Sequence, residues 1–179
     1  MEDMLPLLPA WRPGAIRDQI LEFVEAVTTE DGPDFVPAAE RIAVFDNDGT
    51  LWCEQPAQVQ VLFCLERLEQ LADADPDLRS RSPFKAFLER DLAAIQALGK
   101  RGVFEAAFKV HAGMSVPAFQ RQARDWLETG ANPLLARRCR DLVYQPQLEL
   151  MDLLRNKGFL TWFVPAGGAD FIRTFAEEA

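Results

Sequence analysis

Two short apolar runs decide what this chain is able to form. Arg41-Ile42-Ala43-Val44-Phe45 follows the breakers Gly32, Pro33 and Pro37, and Phe159-Leu160-Thr161-Trp162-Phe163-Val164 follows Lys157-Gly158. Each is bounded by turn formers and rich in β-branched or aromatic residues, so each reads as a strand. The first is apolar on both faces instead of alternating, the pattern of a parallel strand buried on two sides. Between them, residues 55–142 carry helical periodicity with no third strand signal. A parallel pair interrupted by a long helical stretch predicts an α/β fold with an all-helical insertion.

The helices can be placed by their apolar stripes. Ile16, Ile20, Phe23, Val24 and Val27 share one face of an N-terminal helix, and Val61, Leu65, Leu68 and Ala72 share another. Ser82-Pro83 reads as an N-cap with proline at the first helical position, and Leu88, Leu92 and Ile95 continue that helix toward Gly99. Ser115 caps a helix whose apolar side is Phe119, Ala123, Trp126 and Leu127 and which stops at Gly130. Pro146 opens a helix through Leu150, Leu153 and Leu154, and Phe171, Ile172 and Phe175 mark a last one. Phe84, Phe87, Phe104 and Phe108, at helical spacing, are expected in the core.

Composition narrows the function classes. With 49% hydrophobic residues and a net charge of -9, the 179-residue chain is globular in character and has no basic footprint for nucleic acid or anionic membrane. An anionic substrate must meet local positive charge, from a metal ion or helix N-terminal amides. Cys53, Cys64 and Cys139 form no CxxC pair, which argues against a disulfide framework and a zinc knuckle. The acidic start Met1-Glu2-Asp3-Met4 lacks the pattern of a signal peptide, and no apolar run reaches the ~18 residues of a membrane span. A cytoplasmic protein is expected, or a periplasmic one if a signal peptide has been removed.

The chemistry concentrates at the end of the first strand. Ligands of open parallel sheets bind beyond the carboxyl ends of the strands, and Asp46 is the first residue past such an end. Asp48 follows two residues later, where the chain turns, and Gly49 permits the backbone geometry of a tight turn. Two carboxylates held close either raise one pKa or attract a hard cation, and Mg takes carboxylate oxygens together with substrate phosphate. Two other readings exist for Asp-Asn-Asp-Gly. One is a plain polar turn. The other, a calcium loop, fails because an EF-hand register from Asp46 puts Leu51 at the glycine position and Ala57 at the glutamate position.

The segment Ile42-Ala43-Val44-Phe45-Asp46-Asn47-Asp48-Gly49-Thr50-Leu51 resembles the first motif of the haloacid dehalogenase superfamily, an apolar strand followed by DxDGT[LV]. Residues 46–54 are similar to its phosphoserine-phosphatase-like branch, and the helical insertion resembles the family's cap. The resemblance implies a Rossmann-like core, residues 1–54 and 143–179, carrying a helical cap at 55–142. It also implies a Mg-dependent phosphatase acting on a small phosphorylated substrate. Asp46 is the implied nucleophile, Asp48 the acid and base, and Thr50 a phosphate contact. The resemblance likewise implies Mg held by the Asp46 carboxylate and the Asp48 backbone carbonyl.

The family pattern breaks further along. Its second motif is a strand ending in Ser or Thr, where this chain has Pro165, with neither hydroxyl nor amide hydrogen. Thr161 lies near the strand's start and reads as a strand residue. Gly167 and Gly168 have two readings, backbone amides for a phosphate or a simple strand-to-helix turn. The family's third motif, a lysine, and its fourth, an acidic pair, lie beyond the last strand seen here. The resemblance therefore implies a truncated chain, with an incomplete sheet whose edge is covered by a homo-oligomer or partner, or a degenerate member that binds phosphate or a protein without turnover. His111, the single histidine, is expected to be structural. Trp52 either lines a pocket or packs, Glu54 is expected to be solvated, and Arg137, Arg138 and Arg140 read as a solvated basic face ahead of a phosphate-steering patch.

Overall fold

The computed structural model describes residues 7–165 and 167–176. The chain divides into two compact units, Met1–Cys53 with Leu142–Ala166, and Glu54–Asp141 with Gly167–Ala179.

The first unit is built on two strands, β1 (Ile42–Phe45) and β2 (Leu160–Phe163), paired in parallel with Ile42 opposite Leu160 and Phe45 opposite Phe163. Its helices are α1 (Ala15–Thr28) and α6 (Gln145–Asn156); the second unit supplies α2 (Val59–Ala74), α3 (Phe84–Leu88), α4 (Leu92–His111), α5 (Val116–Thr129) and α7 (Ala169–Ile172). A parallel pair needs a long crossover, and here the chain returns through α6, which begins with a proline in its first turn. Gly158 ends that helix at a φ of 79°, a left-handed conformation that turns Phe159 back so its amide reaches the Leu154 carbonyl at 2.9 Å. Arg41 fastens the start of β1 to the same corner, donating to the Val36 and Lys157 carbonyls, each at 2.7 Å.

Val24, Phe45, Leu51, Met151 and Leu154 form the core of this unit, with Ala43, Leu150, Phe159 and Phe163 packed against it. Burying each large side chain there contributes about 1.5–3 kcal/mol. The expectation of a strand buried on both faces is corrected. Ile42 and Val44 on β1 are 59% and 60% exposed, and Leu160 and Trp162 on β2 are 56% and 55% exposed. The reason is neighbours: α1 and α6 contribute to one apolar cluster, and the side bearing these four residues stays open among the described residues. On α1, Val24 and Val27 are buried, whereas Ile16 and Phe23, expected on the same apolar face, are exposed.

The helical unit gathers around Phe63. Its ring meets those of Phe119, Trp126 and Phe171 at centroid distances of 5.6, 5.5 and 5.5 Å. The Phe171 contact belongs to a segment placed by sequence in the 143–179 part of the core; residues 167–176 instead pack with the helical unit, where Arg124 Nε also donates to the Thr174 carbonyl. The physical reason is that Phe171 and Ile172 are large apolar side chains, buried in this unit. Helix α5 matches its expected form: the Ser115 hydroxyl accepts from the Ala118 amide, Phe119, Ala123, Trp126 and Leu127 are buried, and Gly130 is the C-cap.

The helix expected to run from Pro83 toward Gly99 is broken. It ends after Leu88, Arg90 takes a φ of 56°, and a new helix α4 starts with the Asp91 carboxylate accepting from the Ala94 amide at 3.0 Å. Gly99 interrupts α4 with non-helical backbone. Of the four phenylalanines expected in the core, Phe84 is buried but Phe104 and Phe108 are each 73% exposed. Helical spacing puts side chains on one face, and no described element covers that part of α4. No described helix is long and apolar enough to cross a membrane.

Candidate active site

The loop after β1 is tied by its own backbone. The carbonyl of Asn47 accepts from the amides of Thr50, Leu51 and Trp52, at 3.2, 2.8 and 3.0 Å, and the Gly49 amide donates to the Trp52 carbonyl at 2.7 Å. Gly49 has a φ of 76°, which a side chain would strain, so this turn needs glycine there. Two further bonds pin the loop's exit to the chain entering α6: Cys53 donates to the Leu142 carbonyl and Tyr144 donates to the Leu51 carbonyl, both at 2.9 Å. Asn47 itself is buried, with its side-chain amide 3.4 Å from the Asp48 carboxylate. Sequence reasoning passed over Asn47, and the available signal was its place between two aspartates, where one amide and one carbonyl can serve both sides of the turn.

This arrangement presents Asp46 outward. Asp46 is exposed directly beyond β1, and one of its carboxylate oxygens accepts from the Asn47 amide at 2.8 Å. Asp48 and Thr50 are half-buried on the same loop. Three of the residues named from sequence are therefore brought together by one tight turn. Gly167 and Gly168 group with the helical unit, and the Gly168 amide donates to Gln60 Oε1 at 2.8 Å.

Two aspartates two residues apart on one tight turn, the first exposed and the second half-buried, can act as a nucleophile with a neighbouring acid or can coordinate a hard cation. The donor chemistry fits Mg, which is held by one or two carboxylates together with water and substrate phosphate. No group of three or more His, Cys, Asp or Glu side chains suited to a metal occurs among the described residues.

The remaining sequence candidates have structural tasks. Trp52 is buried and bridges to Asp48 and to Val143, which decides for packing. His111 places Nδ1 2.5 Å from the Ala107 carbonyl and its ring 4.3 Å from that of Phe119. Arg138 pairs with Asp141 at 2.8 Å and Arg140 pairs with Glu128, so these two guanidinium groups already face carboxylates. Thr161 accepts from Arg155 Nε at 3.0 Å, on a strand that continues past Phe163 with Val164 donating to the Phe45 carbonyl.

No curated protein matches the chain. A family model does match, over residues 43–179, beginning on β1 and taking in the aspartate loop. With a strand, a DxDGT turn at its carboxyl end and a helical unit following, the chain belongs to the family of haloacid dehalogenase-like hydrolases.

Proposed function

We propose that this protein is a Mg-dependent phosphomonoester hydrolase of the phosphoserine-phosphatase-like branch, working through an aspartyl-phosphate on Asp46. The observation that carries the reading is the turn itself: Asp46 stands exposed at the carboxyl end of a parallel strand while the Asn47 carbonyl gathers three amides and holds Asp48 two residues away.

A carboxylate oxygen of Asp46 attacks phosphorus and the bond from phosphorus to the substrate oxygen breaks, with the Asp48 carboxyl group donating a proton to the departing alkoxide. Asp48, now a carboxylate, takes a proton from a water molecule that attacks the same phosphorus. The bond to Asp46 breaks, releasing inorganic phosphate and restoring both side chains. Thr50 contacts the phosphoryl oxygens through its hydroxyl. The Asp46 carboxylate and the Asp48 carbonyl would hold the metal, whose charge lowers the repulsion between nucleophile and phosphate.

The test is phosphate release from a generic aryl phosphate, with and without Mg, by the chain and by its Asp46→Asn variant. Loss of turnover by a factor of at least about 1,000 in the variant, together with dependence on Mg, is the expected result. Turnover unchanged by either would sink the reading.

A second reading is a member with little activity that binds phosphate or a protein partner. It is favoured by the open sheet side at Ile42, Val44, Leu160 and Trp162, since parallel sheets are otherwise covered on both faces. A folded chain that releases no phosphate yet forms a stable complex which Trp162→Glu abolishes would establish it.

A further inference from the structure

The first unit contains a cavity of about 510 Å³ whose walls include Trp11, Arg12, Ile16, Arg17, Thr50 and Tyr144. That volume is on the scale of small-molecule sites. Asp46 and Asp48 are not among its walls. In a chain of net charge -9, two guanidinium groups on one cavity make a local exception. Neither arginine forms an ion pair among the described residues, and Glu149, the nearby carboxylate on α6, accepts from the Ala10 amide at 2.8 Å.

Arg17 is only partly satisfied. Its Nη2 donates to the Leu7 carbonyl at 2.7 Å, while its Nε is buried and has no hydrogen-bond partner among the described residues. Both Ile16 and Arg17 lie in the first turn of α1, a 14-residue helix whose N-cap, Gly14, supplies no side-chain bond to the free amides. The positive end of the helix dipole thus adds to the two guanidinium charges. The apolar walls are held as well: Trp11 donates through Nε1 to the Pro146 carbonyl at 2.7 Å, fixing its indole.

We propose that this cavity binds a small organic anion, its carboxylate or phosphoryl head on Arg12 and Arg17 and its aromatic body against Trp11, Ile16 and Tyr144. The site is separate from the aspartate pair, and because Thr50 belongs to both the cavity wall and the loop, a ligand held there bears on the loop's position.

The test titrates the full chain, with EDTA present, with phenylphosphonate, benzoate and inorganic phosphate, following heat of binding. Saturable binding of phenylphosphonate or benzoate is expected, equal in the wild type and in Asp46→Asn. Arg17→Lys, which keeps the charge but loses the planar fork, and the exposed Arg12→Gln should each weaken it by about tenfold or more. The tighter of the two aromatic ligands identifies the head group, and either order supports the site. No saturation by any ligand, binding indifferent to both arginine variants, or binding abolished by Asp46→Asn would overturn the proposal. Inorganic phosphate binding as tightly as phenylphosphonate would overturn its aromatic half.

Discussion

Ala43, Phe45 and Phe163 lie on the side of the small sheet that meets Val24, Met151 and Leu154, whereas Ile42, Val44, Leu160 and Trp162, from the same two strands, are more than half exposed. Both sets are apolar, so hydrophobicity did not decide between them. The helical unit makes the same point in reverse. There Phe63 packs against Phe119 and Trp126 of α5 and Phe171 of α7, two stretches of chain distant from its own helix. Helices satisfy their backbone within each segment and need only a partner for one stripe. A parallel sheet needs cover on two faces, and here the described residues supply it on one.

This comparison can be broken most directly by truncation on the covered side. Phe45→Ala removes a buried aromatic from the first unit's core and should cost about 3–5 kcal/mol, read as a lower midpoint in denaturant unfolding. A cost near zero would mean that neither side of the sheet is a core.

Helix α2 of the helical unit carries a chemical signature of partial burial at Cys64. Burial raises the thiol of Cys64 on α2 from an ordinary 9.0 to about 12. The folded thiol holds its proton to higher pH than the unfolded one, so this contribution to stability is fully present below pH 9.0 and fades as pH rises toward about 12. At pH 8 the folded chain should carry much less Cys64 thiolate than the unfolded chain, with labelling by a disulfide reagent slowed. Labelling at the unfolded rate would show that the unit opens to water.

The smallest effect is expected on the open side. Trp162→Thr should change stability by no more than about 0.5 kcal/mol, and light scattering should show less self-association than in the wild type. A loss of about 2 kcal/mol or more would show that this side is covered in solution.

Sequence patterning was most informative where a residue's task is local. Ser115, the stripe from Phe119 to Leu127, and Gly130 describe α5 completely, because a cap, a 3.6-residue period and a terminal glycine act within one segment. The aspartate loop was legible for the same reason, since its turn is held by bonds among residues 47–52. The break at Arg90 was not, because Leu88, Leu92 and Ile95 keep a helical period on either side of one left-handed residue. Nor was the exposure of Phe104 and Phe108, for periodicity names a face without naming what lies against it.

The arginine cavity shows the limit most clearly. Arg12 and Arg17 are unremarkable in the sequence and gain meaning only because the fold sets them beside Thr50 and Tyr144, more than thirty and more than a hundred residues away. By itself the sequence determined the family, the strand and the tight turn after it, all of which depend on short-range geometry. Tertiary structure alone decided which apolar faces are covered, where residues 167–176 pack and which charges share a cavity, because each of these depends on partners distant along the chain.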